Sequence, residues 1–274
     1  MSSFLAMGTE WWIACDRPDL LADAEAWVRA AEHLLSRFIP DSLLCRLNAE
    51  RIAEHPLLAA VVSRALVAQG QTDQVFDLGL GDELCALGYD RDFGAGLPVA
   101  AVRTLPRSQL GVHVDGTVVR LTGAGTMDLG GIAKAWTVDF VHDRLRANGA
   151  TRVLVDGGGD LRASGQEWDL AGPDGHPFRI GDGAVATSSC LKRKWKDATG
   201  KTLHHLVDPA TGQPAESTLV AATVRAKTAV DAEVFAKAVV IRPALLERVT
   251  ALGMSALVQD RNLQWWVTGN WEAS

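Results

Sequence analysis

Long apolar runs are missing from this 274-residue chain: no eighteen consecutive apolar residues occur, which argues against a membrane-spanning helix. The opening "MSSFLAMGTEWW" lacks a basic start followed by a long apolar stretch, so no export signal is expected there. A basic excess is missing too. Lys and Arg total 27 against 33 Asp and Glu, a formal charge of −6, and the cations are scattered, so a nucleic-acid surface is not expected. The four cysteines, Cys15, Cys45, Cys85 and Cys190, form no CxxC pair and have no histidine at zinc spacing, and they read as free thiols of a reducing cytoplasm. Tyrosine occurs once against nine tryptophans. Trp11, Trp12, Trp265 and Trp266 fall in strand-like runs and are expected in the core, as are Trp136 and Trp195, for which stacking on a ligand ring is the alternative. No repeat, charge block or long Pro/Ser linker divides the chain.

What is present is a 47% hydrophobic composition, enough to bury a full core. Leu21, Ala24, Val28, Ala31, Leu35 and Phe38 form one stripe, predicting an amphipathic helix over 19–38 that stops before Pro40. A second helix is predicted from Pro56 to about Ala68. "GVHVDGTVVRL" alternates around Asp115-Gly116 as a hairpin. A helix follows from about Gly130 to Ala147, and then "RVLVDGGGDLRASG" reads as a strand running into a glycine loop. Residues 219–225 are strand-like, 230–241 and 244–252 helical, and "ALVQDRNLQWWVTG" a closing hairpin. Hairpins mixed with packed helices predict the α+β class, one compact domain over 1–274 with mixed, largely antiparallel sheets.

Four clusters bear chemistry. "TMDLGGIAKAW" sets Asp128 and Lys134 either side of a Gly-Gly pair at a helix start, which suits either a phosphate held on helix amides or an ordinary cap and turn. "VDGGGDLRASG" puts three glycines between Asp156 and Asp160; it is neither a Walker loop nor a dinucleotide fingerprint, and is either a ligand loop or a strained strand-to-strand turn. "AVATSSCLKRKW" offers Thr187, Ser188 and Ser189 before Lys192, Arg193 and Lys194, a pyrophosphate site or a solvated surface loop. "HHLVDPATGQP" places His205 three residues ahead of Asp208. A carboxylate at that spacing can orient an imidazole as a proton shuttle; otherwise Asp208-Pro209 simply opens a turn completed at Thr211-Gly212.

In order and spacing, "MGTEWW", "LLSRFIPDSLLCRLN", "VFDLGLG", "MDLGGIAKAW", "VDGGGDLRASG", "VATSS" and "HHLVDPATGQP" together resemble the ApbE family, the FAD:protein FMN transferases. The resemblance implies an enzyme that binds FAD and, with Mg²⁺, moves the FMN half onto a Ser or Thr hydroxyl of an acceptor protein, releasing AMP. It implies that Met7, Phe38, Val75, Phe76, Asp77, Thr187 and Leu206 line the nucleotide pocket, that Asp128 and Lys134 contact FAD, and that His205 handles the acceptor proton. Thr187 falls in the family's "ATSG" loop, and Gly131 would offer its carbonyl to the metal.

Two departures stand out. Where the resemblance leads one to expect Asp and, four residues on, Thr as magnesium ligands, "TAVDAEVFAKAVVI" has Glu233 and Lys237; Asp231 is a second oxygen donor, two residues out of register. A protonated lysine has no lone pair to give a metal. The pair is either an ordinary surface i,i+4 contact, or a built-in cation in the metal's place, or the mark of a protein that binds FAD without transferring it. In "VFDLGLG", Leu78 and Gly79 replace the usual Pro or Val then Thr. The alternatives to transfer are FAD binding or carriage alone, and hydrolysis of FAD to FMN and AMP.

Overall fold

The computed structural model describes residues 1–96, 102–103, 105, 109–172, 175 and 177–271. The chain forms two compact units, each assembled from separated segments. The first takes Met1–Ala31, Lys134–Ser189 and Ser217–Ser274; the second takes Glu32–Ala133 and Cys190–Glu216. The interleaving leaves no compositional boundary in the sequence. The α+β class with antiparallel sheets is the one expected.

The first unit is built on a sheet of eight described strands in the order Ser2–Ala6, Thr9–Cys15, Val153–Gly157, Asp160–Ser164, Gly183–Ser189, Leu219–Ala226, Ser255–Asp260 and Trp265–Thr268, with every pairing antiparallel. Alternation sets its faces: Trp11 and Ile13 are fully buried while Glu10 and Trp12, on either side of Trp11, point to solvent. Leu219–Ala226 is buried on both faces along nearly its whole length, as its run of Val and Ala allows. Against it and Gly183–Ser189 packs the helix Ala229–Ile241, which is apolar almost all round and correspondingly enclosed. That helix starts where Thr228 accepts the Asp231 amide at 3.1 Å and the Asp139 carboxylate accepts those of Ala229 and Val230 at 2.9 and 3.0 Å, so three of its first amides are satisfied by side chains.

The triple glycine is a strand-to-strand turn. Gly158 has φ 71°, and a Cβ on it would lie 1.9 Å from the Thr9 hydroxyl oxygen, so both backbone and space demand glycine there.

The second unit carries the helices Leu43–Glu50, Pro56–Gln71 and Gly81–Ala86 and a three-stranded sheet ordered Ile52–Glu54, Val118–Thr122, Gly111–Asp115. Pro56 occupies the first turn of its helix, and the His55 Nδ1 caps it by accepting the Leu57 amide at 3.2 Å. A small core of Leu84, Leu87, Trp195, Leu203 and Val207 closes one side, with Leu80, Tyr89, Phe93 and Val102 packed on it.

Some expectations need correction. Trp11 is in the core, its Nε1 donating to the Ala6 carbonyl at 3.0 Å, but Trp12 and Trp266 are each 41% exposed, because neighbours in a strand cannot share a face. The helix expected from Gly130 begins at Ala133, after a turn in which the Leu129 carbonyl accepts the Ile132 and Ala133 amides. Thr187 lies within a strand, not a loop.

Candidate active site

In the second unit, residues 126–128 are held from both sides. Asn48 exchanges two hydrogen bonds with the Met127 backbone, at 2.8 and 2.9 Å, and the Asp128 amide donates to the Leu78 carbonyl at 2.9 Å. This fixes the Asp128 carboxylate, which is 9% exposed; one oxygen accepts the Gly130 amide at 2.8 Å and the other lies 2.5 Å from the Arg37 Nε. The Arg37 guanidinium also donates to the Tyr89 carbonyl at 2.6 Å and sits 4.2 Å from the Phe38 ring centre and 4.8 Å from that of Tyr89. Phe38, Tyr89 and Trp195 follow one another at 5.7 Å centroid spacing, and the Trp195 indole is anchored by a 2.8 Å bond to the Leu87 carbonyl. Burial pushes the Tyr89 hydroxyl above its usual range, with Arg193 and Arg37 opposing. The result is an aromatic wall carrying cations, suited to a flat ring bearing negative charge.

The turn after Asp128 brings Gly131 against Phe76 so closely that a Cβ would fall 2.9 Å from the ring. Farther on, the His205 Nδ1 lies 3.3 Å from the Arg193 carbonyl. A carbonyl can only accept, so Nδ1 carries the proton and the basic lone pair is on Nε2. The described contacts of Asp208 are those of the turn, the alternative that the spacing left open. Its carboxylate accepts the Ala210 amide at 2.9 Å, and its carbonyl accepts those of Thr211 and Gly212 at 3.1 and 2.8 Å, closing the turn.

In the first unit, Lys134 stands in the first turn of the helix Ala133–Ala147, its Nζ 2.8 Å from the Asp160 carboxylate, which is 1% exposed. Nearby on the Ala229–Ile241 helix, Glu233 is ion-paired to Lys237 and accepts the Ser188 hydroxyl at 3.1 Å. Burial, then the negative charge of Asp160, pushes the Glu233 carboxyl up, and Lys237 and Lys134 pull it back. Burial also raises Asp156, while the Gly159 amide and Lys134 counter it. The Thr187 and Thr223 hydroxyls are 2.9 Å apart on adjoining strands.

Residues 7–256 match the ApbE family. The chain belongs to that family. Curated relatives named FAD:protein FMN transferase include one from Vibrio cholerae, 27% identical over 261 aligned residues covering 83% of this chain and 76% of the relative. Another, from Salmonella typhimurium, is 28% identical and covers 83% and 74% respectively. The crystal structure of the Pseudomonas stutzeri flavinyl transferase ApbE, apo form, matches with a TM-score of 0.80 at 24% identity, covering 97% of this chain and 93% of that one. The ApbE protein of Thermotoga maritima matches at 0.84 and 20% identity, covering 100% and 99%. These structures establish that the fold is that of ApbE, and membership places the chain among transferases.

The residues nominated from ApbE resemblance fall as follows. Phe38, Val75, Phe76, Asp77, Asp128, Gly131, Leu206 and His205 belong to the second unit, and Met7, Lys134, Thr187, Asp231 and Glu233 to the first. Phe38 and Asp128 meet through Arg37. Val75, Phe76 and Leu206 are buried, and Asp77 accepts the Gly79 amide at 2.8 Å. Leu78, departing from the ApbE pattern, serves the site through its carbonyl, which takes the Asp128 amide. Met7 is a turn residue with φ 52° between the first two strands.

The metal donors do not fit magnesium. Glu233 is engaged by Lys237 and Ser188, and the Asp231 carboxylate accepts the Thr228 hydroxyl at 2.6 Å at its own helix start. Among the described residues no three acidic, histidine or cysteine side chains are grouped to hold a metal ion. Mg²⁺ asks for near-octahedral oxygen, and position 237 supplies an ammonium. Sequence reasoning passed over Arg37, Tyr89 and the role of Asp160. The only local sign of them was position: Arg37 precedes Phe38 in a matching segment, and Asp160 closes the glycine run.

Proposed function

We propose that this protein is an FAD:protein FMN transferase, with residues 1–274 acting as one functional domain. The observation that carries the reading is the family match over 7–256, with curated relatives bearing that name aligned across 83% of the chain. The acceptor's Ser or Thr oxygen forms a bond to the FMN phosphorus of the FAD pyrophosphate, the bond from that phosphorus to the bridging oxygen breaks, and AMP leaves with the electron pair. The acceptor's proton passes to the Nε2 of His205, the nitrogen to which the Arg193 carbonyl assigns the lone pair.

Lys134 offers positive charge to the pyrophosphate oxygens, and its partner Asp160 holds the ammonium in place. The Arg37–Phe38–Tyr89 wall supports binding of a planar ring through stacking and charge. None of these roles requires a metal. The reading places the protein in the cytoplasm; no described helix is long and apolar enough to cross a membrane.

Incubation with FAD and an acceptor peptide containing threonine, followed by intact mass and nucleotide analysis, tests the proposal. A gain of the FMN phosphate mass with AMP release is expected. AMP without that gain would mean hydrolysis. FAD bound with neither product would mean a binding protein. His205→Ala is expected to keep FAD affinity and abolish transfer; weaker FAD binding with unchanged turnover per bound FAD would contradict the role given to this histidine.

A further inference from the structure

The Glu233–Lys237 contact has the i,i+4 spacing of a common helix-surface pair, yet it is not on the surface. The two side chains are 8% and 13% exposed. Enclosing an ion pair removes water from both charges, a loss that attraction between them seldom repays in stability. Glu233 also responds to Asp160 and to Lys134, and Asp156 responds to the same two, so Lys134, Asp156, Asp160, Glu233 and Lys237 form a single cluster of two ammoniums and three carboxyls within the first unit.

From this arrangement we infer that the Lys237 ammonium takes the place of a divalent cation, so that this protein binds the diphosphate of its dinucleotide without a metal. The inference rests on the FAD reading above. A carboxylate cluster alone would repel phosphate. Two ammoniums offset two of the three carboxyls and burial pushes Asp156 toward its neutral form; each ammonium has three N–H donors of which its ion pair uses one, so donors remain for phosphate oxygens. A divalent cation approaching Glu233 would have to displace Lys237 from it and then stand beside a like charge, with no oxygen at 237 to complete its shell.

Binding of FAD, followed by flavin fluorescence and calorimetry in EDTA and again in Mg²⁺, separates the possibilities. Wild-type affinity is expected to be the same in both. Lys237→Met should weaken FAD binding about tenfold or more, the loss of one charge-assisted contact, and Mg²⁺ should not restore it. Because that variant leaves Glu233 without its counter-charge, the double variant Glu233→Gln/Lys237→Met, which removes both charges, should show the same loss while remaining folded by circular dichroism. Lys237→Thr should bind FAD weakly in EDTA, recover in Mg²⁺, and take up Mn²⁺ detectable by electron paramagnetic resonance, where wild type takes up none. FAD binding by wild type that requires Mg²⁺, or full FAD affinity in the double variant, would overturn the inference alone. Absence of FAD binding by wild type under every condition would instead sink the FAD reading, and this inference with it.

Discussion

Lys237→Met is also a sharp test of the energetics of the first unit. Glu233 is 6% exposed, and without Lys237 its carboxylate keeps the Ser188 hydroxyl while still facing the negative charge of Asp160. Removing one partner of a buried ion pair destabilises proteins by about 3–5 kcal/mol. In a chain of this size each kcal/mol moves the melting temperature by roughly 2–4 °C, so a fall on the order of 10 °C is expected. The fall is bounded, because burial and Asp160 already push the Glu233 carboxyl upward and a proton can replace the lost lysine charge. Glu233→Gln/Lys237→Met carries no orphaned charge and should recover most of the loss. Urea unfolding of wild type, both single variants and the double variant closes the cycle, with a coupling of about 1–3 kcal/mol expected. Additive losses, with the double variant the least stable of the four, would refute the account of a desolvated, mutually dependent pair.

Other consequences can be measured as directly. Gly158→Ala combines a left-handed backbone with a clash against Thr9 and should cost about 2 kcal/mol or more in urea unfolding; adding Thr9→Ala should return only part of the steric cost, since the Cβ at position 9 would still lie 2.8 Å from the new one. Asp139→Ala deprives the Ala229 and Val230 amides of their acceptor and Arg162 of its partner, and should cost about 1–2 kcal/mol, with hydrogen exchange rising first at that helix start. His142 is held below its ordinary value of 6.5 by burial and then by Arg162, so the unfolded chain takes up the proton first. The stability it contributes is therefore complete above pH 6.5 and is lost as pH falls through the folded value. Urea midpoints at about pH 5 and 7.5 should differ more in wild type than in His142→Gln, and equal differences would contradict this.

Local pattern in the sequence was enough to place many elements. The stripe from Leu21 to Leu35 is a helix, the alternation from Gly111 to Thr122 a hairpin, and the apolar run at 219–225 a buried strand. These signals work because they come from residues within a few positions of one another. The site was legible only where a motif carried both partners, as with Asp128 and the Gly130 amide. Arg37 and Asp128, or Lys134 and Asp160, meet through the tertiary fold, and nothing near any of them in the chain announces its partner. The exposure of Trp12 and Trp266 could have been foreseen, since a period of two sends one member of each Trp-Trp pair outward. The interleaving of segments could not, because each stretch is locally consistent with a single continuous core.

That interleaving bears on how the protein is made. When synthesis has reached Ser189, strands from Ser2 onward are waiting, but Gly183–Ser189 still lacks its neighbour Leu219–Ala226 and the helix that covers both. The unfinished sheet then presents an open row of amides and carbonyls to any passing strand. Chain emergence, rather than the intrinsic speed of pairing, is expected to set the pace of assembly, and chains that stop short of Leu219 should be sticky and protease-sensitive.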